Sequence, residues 1–265
     1  MYNGQDLDDM IKGECGGDFG VSIRLVSMPP DEADVAIVHK CCAGLGTNDH
    51  VLYSVLCGRT NAEIIHLKKL YYKTHDKDLG VLLASELSGD FERLMFNAIQ
   101  GIEDSFDETV HTQLQALEDA VKLYDAGQGA FGTDEKILFN ILCSSPAQHL
   151  CHINLVYADK YGYTLDKAFE KELTGAAEGG AMFQLGMKLK PSETVAKQIY
   201  KACSGVGTDE FALTSHIVRF QPMLKEVDRA FRNLNEGTGI ADRIKSEVGG
   251  DLKKLLVAIV ENACK

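Results

Sequence analysis

The stretch Gly44-Leu45-Gly46-Thr47 decides the fold, because it returns as Ala130-Phe131-Gly132-Thr133 and as Gly205-Val206-Gly207-Thr208. Each copy is followed by Asn or Asp and then by apolar residues at helical spacing. The three threonines are 86 and 75 residues apart. Self-similarity at such a distance indicates a chain built from structural repeats.

A second string recurs at a constant distance from the first. Glu86, Glu172 and Glu247 each lie 39 residues after the threonine of their repeat, in ELSGDF, ELTGAA and EVGGDL. A fourth copy, ECGGDF, begins at Glu14, and its loop would fall before residue 1. The sequence therefore predicts part of a first repeat followed by three whole ones. The predicted bounds are residues 1–28, 29–101, 102–188 and 189–265.

The pattern inside each repeat is helical, and five short helices per repeat account for it. Each loop threonine is predicted to be the N-cap of the helix that follows, since its hydroxyl can accept a backbone hydrogen bond. The segment 21–26 is rich in β-branched residues, but it aligns with the helical pattern of residues 91–99. It is therefore predicted to be helical, and the fold class is predicted to be all-α.

Composition narrows the classes of partner. The net charge of −12 gives the protein no electrostatic attraction to nucleic acid or to an anionic surface without a cation between them. Eight cysteines are scattered without a CxxC pair, which is typical of reduced thiols in a cytoplasmic protein. The first residues lack the pattern of a signal peptide, and no apolar run is long enough to span a membrane.

The Gly-x-Gly turns and the glutamates suggest a cation site. Glycine accepts backbone angles that let several carbonyl groups point the same way, and Ca²⁺ prefers six to eight oxygen ligands, commonly with one bidentate carboxylate. Three carbonyls and one glutamate supply about five of them. The remaining positions are open to water or to an outside oxygen such as a lipid phosphate.

The loops, the distant glutamates, the five-helix repeat and Arg59 near the end of a second helix resemble the annexins. The resemblance implies a right-handed superhelical array of five-helix repeats that forms a curved disc. It also implies reversible, calcium-dependent binding to acidic phospholipid membranes and no enzymatic activity. The implied calcium ligands are the carbonyls of Cys42, Gly44 and Gly46 with Glu86, those of Gly127, Ala130 and Gly132 with Glu172, and those of Cys203, Gly205 and Gly207 with Glu247.

The loop tips suggest a second contact with the membrane. Leu45, Phe131 and Val206 occupy the variable position of each loop, where an apolar side chain can insert at the headgroup boundary. The alternative is that each side chain folds back onto its own loop.

Two departures from the family pattern affect the expectations for the third repeat. Its loop carries one extra residue, so the first carbonyl ligand is either Gly127 or Gln128. Its second helix ends in Ser144-Ser145-Pro146, where the family usually has an arginine, and a buried ion pair is expected to be lost there.

Two other functions compete with membrane binding. Residues 127–132 match the dinucleotide fingerprint GxGxxG, but that motif needs a preceding strand, and the residues before it have helical spacing. A calcium-independent cytoskeletal or membrane-skeleton scaffold on the same body is the other alternative, and it leaves a cytoskeletal partner open. The protein is expected to be a monomer in solution and peripheral on membranes when calcium rises.

Overall fold

The computed structural model describes residues 7–44, 46–127, 134–205 and 207–265, and within these ranges the chain forms helices and turns without any strand. The helices are α1 (Leu7–Glu14), α2 (Gly17–Ser27), α3 (Pro30–Cys41), α4 (Asp49–Leu56), α5 (Asn61–His75), α6 (Leu79–Glu86), α7 (Gly89–Ala98), α8 (Gln113–Ala126), α9 (Glu135–Ser144), α10 (Ala147–Tyr161), α11 (Leu165–Glu172), α12 (Gly175–Leu189), α13 (Pro191–Ala202), α14 (Glu210–Arg219), α15 (Leu224–Leu234), α16 (Ile240–Glu247) and α17 (Gly250–Ala263). A 3₁₀ turn, Gln221–Met223, precedes α15. The all-α prediction is confirmed.

The order of the helices agrees with five per repeat. Helices α3–α7, α8–α12 and α13–α17 form three successive sets, and α1 and α2 precede them. Helix α2 includes residues 21–26, so the helical prediction for this β-branched segment is confirmed. The exact repeat boundaries stay a prediction.

The chain divides into two compact units. One contains residues up to Lys40 together with Ser192–Lys265, and the other contains Cys41–Pro191. In the first unit, α2, α14 and α17 pack against one another. A buried hydrogen bond of 2.8 Å joins the hydroxyls of Ser22 and Thr214, and Arg219 pairs with Asp34 at 3.0 Å.

Helix α12 is central to the second unit, since it packs against α4, α7, α9, α10 and α11. Two adjacent glycines permit the close approach. A Cβ atom at Gly180 would lie 2.9 Å from a methyl carbon of Leu94, and one at Gly179 would lie 3.1 Å from the ring of Tyr53. These glycines therefore serve packing, whereas those of the loops serve backbone conformation.

An ion pair that the sequence did not indicate lies beside Ser145. The Lys188 side chain is 6% exposed, pairs with Glu103 at 2.8 Å and donates hydrogen bonds to the carbonyls of Cys143 and Ser145. The cation of this pair comes from α12, because the carbonyls at the end of a helix need donors and a lysine on a neighbouring helix can reach them. The expected loss of the arginine's own ion pair stays a prediction.

The N-caps differ from the prediction by one residue. Asn48, Asp134 and Asp209 cap α4, α9 and α14, and each side chain accepts a hydrogen bond from the backbone N–H three residues later. Thr47 and Thr208 lie just outside the helices, and Thr133 lies outside the described residues. Asn, Asp and Thr are all favourable N-cap residues, so the residue type alone does not determine at which of the two positions the helix begins.

Candidate functional site

One backbone hydrogen bond closes each loop, and these three bonds allow the residues of the loops to be aligned with one another. The N–H groups of Asn48, Asp134 and Asp209 donate to the carbonyls of Cys41, Ala126 and Ala202, at 2.9, 2.7 and 2.9 Å. The donor lies seven residues after the acceptor in the first and third loops and eight residues after it in the second. The extra residue of the second loop therefore lies between Ala126 and Asp134, and the choice between Gly127 and Gln128 as the first carbonyl ligand stays a prediction.

The first and third loops share one backbone conformation. The φ angle is +106° at both Gly44 and Gly205, and it is +84° at Gly46 and +88° at Gly207. These angles favour glycine, and a Cβ atom at any of the four would meet nothing within 4 Å. Glycine is thus needed for the turn itself.

The glutamates occupy a second repeated geometry. Glu86, Glu172 and Glu247 are the last residues of α6, α11 and α16, which are each eight residues long. The next helix begins three residues later at a glycine whose φ lies between +60° and +63°, namely Gly89, Gly175 and Gly250. The constant spacing along the sequence therefore reflects a constant local structure at the end of a short helix.

In the first loop, Glu86 lies within electrostatic reach of the predicted carbonyl ligand residue. Burial raises the pKa of the Cys42 thiol to about 11, and the negative charge of Glu86 adds to this effect while Lys77 opposes it. Burial likewise raises the pKa of Tyr71 to about 12, with further contributions from Cys42 and Glu86. The carboxylate of Glu86 is itself exposed, so it is open to a ligand from solvent.

In the second loop the contact is direct. A Cβ atom at Gly127 would lie 2.9 Å from Cγ, 3.0 Å from Cδ and 3.2 Å from Oε2 of Glu172. Gly127 is the C-cap residue of α8, with φ −115° and ψ −100°, and its N–H donates to the Tyr124 carbonyl. The carboxylate thus lies against the backbone of the loop, although 45 residues separate the two positions in the sequence.

In the third loop the helix that ends at Glu247 contacts the loop twice. The Thr208 hydroxyl donates to the Glu247 carbonyl at 3.5 Å. Nη2 of Arg243 donates to the Cys203 carbonyl at 2.7 Å and lies 3.2 Å from Oε1 of Glu247. Burial raises the pKa of the Cys203 thiol to about 11, with Arg243 opposing and Glu247 adding to the shift.

The available donors fit a hard cation held mostly by backbone oxygen. Among the residues that the structure describes, no group of three or more His, Cys, Asp and Glu side chains is placed to hold a metal. The glutamates instead lie beside the backbone at Cys42, Gly127 and Cys203, and a carboxylate with carbonyl oxygens is a donor set that suits Ca²⁺. The thiols of Cys42 and Cys203 are buried and protonated at neutral pH, so only their carbonyls are candidates.

Several predicted site residues lie outside the described residues. Of the candidate ligands these are Ala130 and Gly132, and of the candidate membrane contacts they are Leu45, Phe131 and Val206. The structure brings Glu86 near Cys42, Glu172 against Gly127, and Glu247 near Cys203 through Arg243. Arg243 was not singled out in the sequence, although comparing the repeats reveals it: the equivalent residues, four before each glutamate, are Leu82 and Ala168.

Three further expectations can be compared with the structure, concerning membrane-spanning helices, the cysteines and the dinucleotide fingerprint. No helix in the described part of the chain has the length and apolarity needed to cross a bilayer. All eight cysteines are free, five of them buried, and α8 rather than a strand leads into residues 127–132. The preceding strand that a dinucleotide fingerprint requires is thus replaced by a helix.

The comparisons with known proteins agree with the repeated geometry. The Annexin family model matches residues 33–98, 118–182 and 194–259. Annexin A7 of Dictyostelium discoideum is 30% identical over 257 residues, which cover 97% of this chain and 55% of the relative. Annexin B10 of Drosophila melanogaster is 31% identical over 260 residues, which cover 98% of this chain and 81% of the relative.

The solved structure of annexin III superposes with a TM-score of 0.90 at 28% identity, covering 97% of this chain and 80% of that one. The chain spans about half the length of the annexin A7 relative and about four fifths of annexin B10. Since the family model matches one segment in each of the three sets of five helices, this chain belongs to the annexin family.

Proposed function

We propose that this protein binds acidic phospholipid membranes reversibly through calcium ions held at its three loops. Members of the annexin family generally bind phospholipid in a calcium-dependent way and are generally not enzymes. The observation that carries the proposal to this chain is the contact between Glu172 and Gly127, which joins a carboxylate to a loop 45 residues away. Equivalent glutamates stand beside the other two loops.

The proposed ligands are those of the family pattern. In the first loop they are the carbonyls of Cys42, Gly44 and Gly46 with Glu86. In the second loop they are the carbonyls of Gly127, Ala130 and Gly132 with Glu172, and in the third those of Cys203, Gly205 and Gly207 with Glu247. When bound, calcium supplies positive charge and open coordination positions that a phosphate oxygen of the lipid can fill.

The residues of the chain have two tasks in this function. The positive φ angles at Gly44, Gly46, Gly205 and Gly207 hold the turns in one conformation before any ligand arrives, which reduces the ordering that binding requires. The glutamates place one negative charge at each loop. A single carboxylate per site indicates weak calcium binding in the absence of lipid, because affinity depends on the number of charged ligands.

The net charge makes the binding conditional on calcium. At −12 the protein is repelled by an acidic membrane, and cations at the loops reverse the local field. The apolar loop tips Leu45, Phe131 and Val206 then insert at the headgroup boundary, with a gain of about 1 to 3 kcal/mol for each buried side chain. The proposed location is the cytoplasm, with peripheral attachment to membranes.

Sedimentation with phosphatidylserine vesicles tests the proposal. We expect the protein to sediment with vesicles in millimolar calcium and to be released by a chelator. The triple variant Glu86→Gln, Glu172→Gln, Glu247→Gln is expected to remain in the supernatant. Sedimentation of that variant at the wild-type level would refute the role of the glutamates, and binding that persists in chelator would favour the scaffold alternative.

A matched control separates ligand loss from charge loss. Glu108, Glu118 and Glu226 are exposed and lie outside the three loops. Replacing these three with glutamine removes the same number of negative charges. We expect this control to sediment at least as well as the wild type, because the protein then carries less negative charge toward an acidic surface.

A further inference from the structure

At the third loop a guanidinium contacts two members of the proposed ligand set directly, whereas at the first loop Lys77 acts on Cys42 through its charge. Nη2 of Arg243 donates to the Cys203 carbonyl at 2.7 Å and lies 3.2 Å from the Glu247 carboxylate. Both groups belong to the set of oxygens proposed above to hold calcium. One guanidinium nitrogen thus bridges the first and the last of the proposed ligands.

The equivalent positions in the other repeats carry no charge. Leu82 stands four residues before Glu86 and is 5% exposed, and Ala168 stands four residues before Glu172 and is 6% exposed. Both contribute to the apolar side of their helix. The arginine in the repeat that contains the third loop is therefore a substitution particular to that loop, and its head group reaches the loop because its side chain is long enough to do so.

The surroundings of Arg243 hold its head group at the loop. Its Cζ lies 6.0 Å from the centre of the Tyr200 ring, which is close enough for a cation–π contact. Its Nε is buried and has no hydrogen-bond partner among the described residues. The guanidinium is thus fixed chiefly by the ring, the Cys203 carbonyl and the Glu247 carboxylate.

We propose that Arg243 acts as an internal cation at the third loop, so that this loop binds calcium more weakly than the first two and fills after them. The inference rests on the function proposed above. Arg243 satisfies the Cys203 carbonyl and Glu247 in the absence of metal, and a divalent ion that approaches the same oxygens is repelled by the guanidinium. Arg243 and Glu247 are 27% and 30% exposed, so their pairing is weak enough to be displaced.

Calcium titration in a background with a single working site tests this inference. The parent is Glu86→Gln, Glu172→Gln, which leaves only the Glu247 site, and calcium binding is measured by calorimetry or equilibrium dialysis without lipid. Replacing Arg243 with leucine, the residue at the equivalent position 82, is expected to tighten binding about fivefold or more. The variant Arg243→Gln, which keeps a hydrogen-bond donor without the charge, is expected to behave similarly.

Lys245→Leu is the matched control. This lysine lies on the same helix and pairs with Asp242 at 3.3 Å and Glu261 at 3.1 Å, away from the ligand set. Its replacement removes the same charge and is expected to change calcium affinity less than about twofold. The thermal midpoint of every variant is measured alongside.

The outcomes separate this inference from the proposed function. If both Arg243 variants keep the parent's thermal midpoint and bind calcium no more tightly than the parent, or if Lys245→Leu tightens binding as much, the inference is overturned. If the parent binds no calcium detectably and Arg243→Leu restores binding, the inference is supported. Loss or retention of vesicle binding in the triple glutamine variant decides the proposed function separately.

Discussion

The substitution Gly127→Ala tests the second loop through one methyl group. The new Cβ would lie 2.9 Å from Cγ of Glu172 and 3.0 Å from Cδ. Ordinary contact between carbon atoms begins near about 3.5 Å, so the glutamate must recede by about 0.6 Å. Metal–ligand distances tolerate changes of only about 0.2 Å, so the displaced carboxylate can no longer complete the same ligand set as the loop carbonyls.

The expected loss is local to this site. The backbone angles at Gly127, φ −115° and ψ −100°, lie outside the regions that alanine favours, so we expect the substitution to lower the free energy of unfolding by about 1 to 3 kcal/mol even though Glu172 can turn toward solvent. Calcium affinity is expected to fall about tenfold or more, as it does when the support of a metal ligand is lost. The assay is calcium titration in the background Glu86→Gln, Glu247→Gln, in which only the Glu172 site remains.

The control and the refuting result are both defined by the structure. Gly16→Ala adds a methyl group where nothing lies within 4 Å and where no calcium loop is described, so the affinity should be unchanged. If Gly127→Ala keeps the parent affinity while Glu172→Gln abolishes binding, the contact between the two residues has no part in holding the ion. A large fall in the thermal midpoint would instead show that Gly127 is needed for the fold.

Three further predictions concern the stability and reactivity of the second unit. Burial raises the pKa of Asp119, but hydrogen bonds from Lys122, His149 and Gln115 lower it by more, so the pKa is lower in the folded protein than in the unfolded chain. The ionised carboxylate therefore stabilises the fold above the unfolded pKa, and this stabilisation is lost as the pH falls through the folded pKa. Asp119→Asn should therefore cost about 1 kcal/mol at pH 7 and less in acid, as measured by urea unfolding at several pH values; an equal cost at every pH would contradict this. Lys188→Met leaves the carbonyls of Cys143 and Ser145 without that donor and should cost about 2 to 3 kcal/mol in the same assay, with calcium affinity at the first loop unchanged. Iodoacetamide at pH 7 should label the exposed Cys151 and spare Cys143, whose pKa burial raises to about 12; mass spectrometry showing equal labelling would contradict the buried position.

The sequence was sufficient to predict the helices and the pairing of loops with glutamates, because both depend on spacing. Apolar residues at helical intervals identify the helices, and the 39-residue offset brings Glu86, Glu172 and Glu247 to the same place in each repeat. Comparison between repeats also predicted the helix at residues 21–26, where the β-branched side chains alone would favour a strand. The extra residue of the second loop was visible as well, and the hydrogen bond from Asp134 to Ala126 confines it to the segment between these two residues.

Other features depend on contacts that spacing does not specify. Threonine, asparagine and aspartate all cap helices, so the sequence could not show that Asn48 and not Thr47 accepts the hydrogen bond of α4. The cation near Ser145 comes from Lys188, 43 residues along the chain, and only the packing of α12 brings it there. The missing arginine could be read from the sequence, but the ion pair that Lys188 forms near this position could not.

Arg243 and Lys188 show that a cation in one repeat is best understood from the carbonyl oxygens that it contacts. At the Cys143 and Ser145 carbonyls, Lys188 supplies donors from another helix, whereas Arg59 in the preceding repeat donates to the Val55 carbonyl. At the Cys203 carbonyl, a cation is added where the equivalent residues are apolar, and the environment is changed. The first difference concerns carbonyls that are not proposed calcium ligands, so it should affect stability alone. The second alters the charge at a proposed ligand set, so it should separate the calcium affinities of loops whose backbone conformations at Gly44 and Gly205 are the same.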